Sequence, residues 1–290
     1  MNTYSVSRLA LALAFGVTLS ACSSTPADQQ PSTQTAPGTA SRPVLTADEA
    51  KNFLPASYFQ SLDPNAAAWT PSAISLPAQP DFVVGPAGTQ GVTHTTIQAA
   101  VDAAITRHSN RRQFIAIMPG EYAGTVYVPA APGALTLYGT GEKPIDVKIS
   151  AAIDSEMDPV SWRHQVNPGG KYMPGKPAWY MYDSCQNKRT ATIGVMCSAV
   201  FWSQNNDLQL QNLTIANNLG DSVDAGTHQA VALRSDGDRV QINNVNILGR
   251  QNTFFVTNSG VQNRLQDNRQ TRTLVSNSYI EGDVLSLIHI

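Results

Sequence analysis

The sequence predicts an all-β fold: a solenoid of parallel β-helix coils with an N-terminal capping helix. Two observations carry that reading. The first is composition. Of 290 residues, 42% are apolar and only 14% charged, against roughly 25% charged in an average globular chain. Gly, Asn, Gln, Ser and Thr fill the deficit, as turn-rich β structure requires. The second is a weak repeat. Leu208–Ile215, Val240–Ile247 and Thr273–Ile280 align, and their Asn212, Asn244 and Asn277 superpose with steps of 32 and 33 residues. Ile215, Ile247 and Ile280 superpose by the same steps. A short strand, a turn Asn, a second strand and a loop at this period are what stacked coils need. Asn tolerates the left-handed turn between strands and can bond the Asn of the next coil. An antiparallel β-sandwich would show the same alternation; the matched period of Asn and Ile favours the coils.

Taken in order, residues 1–21 read as an export signal. Arg8 supplies the positive start, and Leu9–Leu19 is an apolar run of eleven residues, too short to span a bilayer. It ends in Leu19-Ser20-Ala21-Cys22, which resembles the bacterial lipoprotein cleavage box. Cys22 would then carry the lipid, and Ser23 after it resembles the outer-membrane sorting pattern. Residues 22–45 are rich in Ser, Thr, Pro, Gln and Ala; they cannot bury a core and read as a disordered tether, with a reach of roughly 25–30 Å. Residues 46–80 form an extended wrap, opening on a short helix with Thr46 as N-cap and Glu49 at the capping-box position.

The folded core begins at Asp81 and runs to residue 284. Phe82-Val83-Val84 is a strand. A helix follows, with Thr95 as N-cap and Ile97, Ala100, Val101, Ala104 and Ile105 along one face. Phe114–Met118 is a buried strand stopped by Pro119-Gly120, and Thr125–Val128 and Leu135–Gly139 continue as short strands. Residues 154–196 form a long polar insertion holding Cys185 and Cys197. In an exported protein these two make a plausible disulfide, worth roughly 3 kcal/mol for so short a loop; two buried free thiols are the alternative. The aromatic residues Trp162, Trp179, Tyr180 and Tyr182 either stack on sugar rings or anchor the core. Arg163, Lys171 and Lys176 either meet an acidic polymer or are merely solvated.

Net charge is −2, which gives no reason to expect nucleic acid as a partner. No metal-ligand cluster and no phosphate-binding Gly loop appears, so neither a metal nor a cofactor is expected.

Thr96–Ala104 followed by Pro119-Gly120-Glu121-Tyr122 resembles the opening of pectinesterases. Gln229-Ala230-Val231-Ala232-Leu233 and Gly249-Arg250-Gln251-Asn252-Thr253 resemble two of their active-site motifs, and Ile280-Glu281-Gly282-Asp283-Val284 resembles the start of a third. Four motifs in the right order over residues 81–284 make a specific signal. The lipobox and Asn252 make it most similar to the pectinesterase-like outer-membrane lipoproteins of enteric bacteria, some described as acyl-CoA thioester hydrolases. The resemblance implies a right-handed parallel β-helix, the single-stranded pectin-lyase-like solenoid. It also implies a carbohydrate esterase in which one Asp attacks the methyl ester of a polygalacturonate, a second Asp moves the proton, and glutamines stabilise the oxyanion.

Gln229 and Gln251 match the family's glutamines. Asn252 stands where the acid–base Asp is expected, and an amide cannot transfer that proton. Gly124 stands where the first motif usually has an acid. The nucleophile is expected at position 285, which here is Leu285. The tail 285–290 continues neither motif nor repeat and reads as foreign sequence at a junction, with the true chain running on. Phe254 and Phe255, beside Gln251, are expected in the cleft, and Arg234 and Arg250 are expected to contact substrate carboxylates. A pectin-like polyuronate or an acyl ester is the implied substrate, and a membrane is reached through the lipid anchor. Three functions compete: a carbohydrate esterase inactive as this chain, an acyl-CoA thioester hydrolase, and a non-catalytic glycan-binding envelope lipoprotein.

Overall fold

A computed structural model describes residues 38–39, 42–59, 68–220, 223–224, 226–258, 271–283 and 285–289. The signal segment, Cys22 and most of the tether lie outside the described residues. The chain divides into two compact units, residues 1–51 and 52–290. In the first, Gly38–Thr39 pairs antiparallel with Arg42–Pro43. Ala47–Ala50 forms one helical turn closed by the expected box: the Thr46 amide donates to Glu49 at 2.9 Å and the Glu49 amide to Thr46 Oγ1 at 3.2 Å.

The second unit is a parallel β-helix with three faces. Its first strand is β1 (Phe82–Val84), followed by helix α1 (Ile97–Thr106). The second coil holds β2 (Gln113–Ile117), β3 (Gly120–Ala123) and β4 (Val126–Val128). The third holds β5 (Leu135–Gly139), β6 (Val147–Ala151) and, after the insertion, β7 (Phe201–Ser203). The fourth holds β8 (Gln209–Asn217) and β9 (Leu233–Ser235), the fifth β10 (Val240–Leu248) and β11 (Gln251–Val256). The sixth holds β12 (Thr273–Ser276), β13 (Tyr279–Glu281) and β14 (Leu285–His289). Every pairing among these strands is parallel.

Face 1 is β4, β7, β9, β11 and β14. β8 and β10 each serve the other two faces, because they bend at Asn212 and Asn244, which adopt φ of +52° and +54°. Asn277 does the same at +50° between β12 and β13. Left-handed backbone costs Asn less than other residues with a Cβ, which is why the corner selects it. Asn244 donates to Asn212 Oδ1 at 3.0 Å, the expected ladder. Asn277 instead donates to Asn243 Oδ1 at 2.9 Å, so the ladder shifts by one residue where the step lengthens from 32 to 33.

Inside, like residues stack coil on coil. Phe82, Ile115, Leu137, Leu210, Ile242 and Val275 are in register on face 2. Tyr122, Ile149, Ile215, Ile247 and Ile280 are in register on face 3. Val126, Phe201, Leu233 and Phe254 are in register on face 1, and Leu287 continues the row at 52% exposure. Each fully buried aliphatic side chain contributes about 1.5–3 kcal/mol. Helix α1 adds Ile97, Ala100, Val101, Ala104 and Ile105 to the same core.

Several expectations need correction. The N-cap of α1 is Thr96, whose side chain accepts from the Ala99 amide at 3.2 Å, not Thr95. Gln98 bonds both backbone groups of Tyr127 instead. The segment 46–80 is not wholly extended, because Pro55–Tyr58 is a helical turn. Residues 285–289 do enter the repeat: they pair with β11 as the fifth strand of face 1. The alternation of Leu285-Ser286-Leu287 suits such a pairing.

The insertion is the largest difference. It is no polar loop but carries two helices, α2 (Pro159–Val166) and α3 (Trp179–Gln186), over its own core on the outside of face 1. Tyr127, Tyr172, Tyr182 and Trp162 stack in sequence, with ring centroids 4.8, 5.5 and 5.2 Å apart. Trp162 is fully buried and donates to the Cys197 carbonyl at 3.0 Å. Cys185 and Cys197 are joined in a disulfide with Cα atoms 5.8 Å apart. Trp162 and Tyr182 are therefore core anchors, while Tyr180 is 43% exposed and donates to Gln204 Oε1 at 2.6 Å.

Candidate active site

Successive coils bring the motif residues side by side where face 1 begins. The Ala230 amide of the fourth coil donates to the Gln251 carbonyl of the fifth at 3.0 Å. Gly249 donates to the Glu281 carbonyl at 3.0 Å, and Asp283 of the sixth coil to the Arg250 carbonyl at 2.9 Å. Gln251 stands in register with Leu285. Position 285, where a nucleophile is expected, is thus the immediate neighbour of Gln251. Gly249 is needed by this close approach: a Cβ there would stand 2.7 Å from the Ala230 carbonyl oxygen.

Asn252 adopts φ +55° and is 3% exposed. Gln229 and Gln251 are partly exposed. None of the three carboxamides is hydrogen-bonded to another described residue. Each amide offers two N–H donors and one acceptor. Such a set can hold a carbonyl or an oxyanion.

The other expected contacts lie elsewhere. Phe254 points into the solenoid and is 2% exposed, because residue parity on β11 puts it in the inner row with Leu233. Phe255 is in the outer row, but the insertion covers it completely. Arg234 is also in that row and is committed internally. Its Nε and Nη2 donate to the two Asp236 oxygens at 2.9 and 2.8 Å, and Nη1 donates to the Met196 carbonyl at 3.0 Å. Its guanidinium lies 4.0 Å from the Trp202 ring centroid. Arg250 ties coils together. It donates to the His228 carbonyl at 3.1 Å and the Asp224 carbonyl at 3.1 Å, and its Nε is 3.4 Å from Asp283 Oδ2. These placements remove Phe254, Phe255, Arg234 and Arg250 from the set that can meet a ligand directly.

The structure adds residues that the sequence reading overlooked. His228 Nδ1 is 2.6 Å from Asp154 Oδ2 and its Nε2 is 2.9 Å from Asp224 Oδ1. The bond to Asp154 first, then that to Asp224, holds the His228 imidazolium above its ordinary range. Asp224 is held below the usual carboxylate range by the Gly226 amide and then by His228. Asp154 opens the insertion, and Ser155 next to it exchanges backbone bonds with Gln229: the Ser155 amide donates to the Gln229 carbonyl at 2.9 Å, and the Gln229 amide to Ser155 Oγ at 3.2 Å. Asp224 and His228 stand just before Gln229 in sequence, a signal that was available. Asp154, 74 residues away from His228, gave none.

Comparison with known proteins bears on the family and the fold. No protein-family profile matches the chain. Over 284 residues it is 80% identical to YbhC of Escherichia coli K12, provisionally named an acyl-CoA thioester hydrolase, covering 98% of this chain and 66% of that protein. It is 49% identical to pectinesterase B of Dickeya dadantii, covering 98% of this chain and 67% of the relative. The chain therefore spans about two thirds of the length of these relatives. Among solved structures, that of Escherichia coli YbhC superposes with a TM-score of 0.79 at 78% identity, over 90% of this chain and 66% of that one. Rice weevil pectin methyl esterase follows at 0.67 and 39%, over 86% and 61%. The shared fold is the right-handed β-helix of the pectin methylesterases.

Proposed function

We infer what this chain does from the family to which it belongs, the pectinesterases: it engages carboxylic esters of a pectin-like polyuronate. In this reading Gln229 and Gln251 donate to the ester carbonyl, and Asn252 adds a third amide. The observation that carries it is that two partly exposed glutamines, Gln229 and Gln251, stand on adjacent coils with Asn252 next to the second, and that no described residue hydrogen-bonds their carboxamides. The substrate class follows from the names of the pectinesterase relatives.

Turnover needs a nucleophile and a proton shuttle. Asn252 cannot give or take the proton, and position 285 carries no carboxylate. The 290-residue chain is therefore a binder of the ester without hydrolysing it. Calorimetry with methyl-esterified oligogalacturonide tests this, with methanol release measured alongside. Expected are saturable binding, at least a fivefold loss of affinity in Q251A, and no methanol. Methanol release by the chain, or unchanged binding in Q229A and Q251A together, would sink it.

A second reading, thioester hydrolysis, is favoured by the name given to YbhC. Release of free thiol from acyl-CoA, with no affinity for the oligogalacturonide, would select it. The segment Leu19-Ser20-Ala21-Cys22 supports an outer-membrane lipoprotein anchored through Cys22. Palmitate labelling of expressing cells should be lost in C22S; labelling that persists would reject the anchor.

A further inference from the structure

Lys171 reaches from the insertion back to the second coil. Its Nζ donates to the Thr125 carbonyl at 2.7 Å and to Thr125 Oγ1 at 3.2 Å. It also lies 4.8 Å from the Tyr172 ring centroid. An ammonium has three N–H bonds, and no other described residue accepts from it or pairs with it. The amine lines a cavity of about 210 Å³ together with Thr95, Thr96, Glu121, Gly124 and Thr125. Gly124 leaves the approach clear. It adopts φ +99°, and a Cβ there would stand 3.3 Å from Lys171 Nζ. A neutral amine satisfies the same two Thr125 acceptors with its two N–H bonds and turns its lone pair towards the cavity.

The surroundings favour that neutral form. Burial pulls the Lys171 ammonium down to about 8, and only Asp102 opposes it. Asp102, on α1, is itself pushed up by burial. Glu121, on β3, is mostly exposed and points to Lys148, 3.9 Å away. The Tyr172 hydroxyl is engaged with Thr125 and Gln98 and is raised far above its ordinary range by burial.

We propose that Lys171 is a nucleophilic amine site that accepts a small acyl group from an activated acyl donor, an acyl phosphate or a thioester. The nitrogen lone pair attacks the acyl carbon and a C–N bond forms. The bond from carbon to phosphate oxygen or thiol sulfur breaks, the leaving group takes its electron pair, and the proton lost from nitrogen goes to solvent. The product is a neutral amide. Its remaining N–H keeps the bond to the Thr125 carbonyl, and the acyl group occupies the cavity. The cation joining the insertion to the second coil is then gone. The proposal uses none of the ester-binding residues and is independent of that reading.

Acetyl phosphate and the full chain test it, with initial acetylation rates at each lysine read by peptide mass spectrometry from pH 6.5 to 9.5. At pH 7.5 Lys171 has a far larger neutral fraction than an ordinary lysine of about 10.4, partly offset by lower basicity. The expected result is acetylation of Lys171 roughly tenfold faster than Lys143 or Lys176, with a rate that levels off above about pH 8. In K171R, which keeps the cation and its donors, the fast phase should vanish. A Lys171 rate no faster than Lys143, a rate still climbing to pH 9.5, or a fast phase that survives K171R would overturn the proposal.

Discussion

Arg234→Met separates a substrate contact from a structural one. The sequence suggests an arginine poised for a ligand carboxylate; the structure gives it a carboxylate of its own. Arg234 is 6% exposed and Asp236 1%, and the fork–fork pair is closed by the Trp202 indole, which donates to Asp236 Oδ2 at 2.8 Å. Residues 234 and 236 lie two apart, so both project from the outer side of face 1, beneath the helices of the insertion. Methionine matches much of the arginine volume but removes the cation and two of the bonds that hold the Asp236 carboxylate. Breaking a buried pair from one side costs about 3–5 kcal/mol, because the remaining charge stays desolvated. For a domain of this size that is a fall in Tm of roughly 6–20 °C. Thermal unfolding followed by circular dichroism reads it. R234M/D236N should recover part of the loss, since no unpaired charge is then buried. The fall should persist in 0.5 M salt, which screens surface pairs but not buried ones. A Tm within 2 °C of the parent, combined with weaker oligogalacturonide binding, would refute the structural assignment and restore Arg234 to the site.

Two further outcomes follow from other parts of the fold. Asn244→Ala loses a bond in the corner ladder and keeps the left-handed backbone; it should cost about 1–2 kcal/mol in urea unfolding, and Asn244→Gly distinctly less, because glycine carries no left-handed penalty. Equal costs would mean the backbone conformation is not what selects Asn. The His228 pKa is raised by its bonds to Asp154 and Asp224, so its contribution is fully present below the ordinary value of 6.5 and fades as pH rises through the higher folded value. The urea-midpoint gap between the parent and H228Q should therefore shrink between pH 5.5 and 8.5, and a constant gap would show that the ring does not titrate across that range.

What was legible in the sequence follows from which contacts repeat. A coil corner demands left-handed backbone and an aliphatic row demands like residues in register, so Asn212/Asn244/Asn277 and Ile215/Ile247/Ile280 leave a period. The insertion repeats nothing. Its helices have eight residues each, too short for a clear apolar stripe, and their core is closed by residues from β4, β7 and β11. That hidden partner also explains the misplaced aromatic residues. Adjacent Phe254 and Phe255 point to opposite sides, and the sequence alone does not say that both sides are covered. Arg234 and Asp236, two residues apart on one side of a strand, are a pair that the sequence does display. The amide trio was legible because it rests on motif residues that coil stacking brings together without any help from the insertion.

The insertion nevertheless reaches the trio from behind. Ser155 holds both backbone groups of Gln229, Gly194 donates to the Ser155 carbonyl at 2.9 Å, and Asp154 grips His228. Arg250 holds the same loop from the next coil through the carbonyls of Asp224 and His228. Gln229 is thus held from two sides through its backbone and its loop, and no described residue hydrogen-bonds its side chain. Rigid support beneath uncommitted donors is what preorganised recognition of a carbonyl requires. The helices that close most of face 1 therefore do more than bury aromatic residues. Through Ser155, at the start of the same insertion, they also set the backbone from which Gln229 projects.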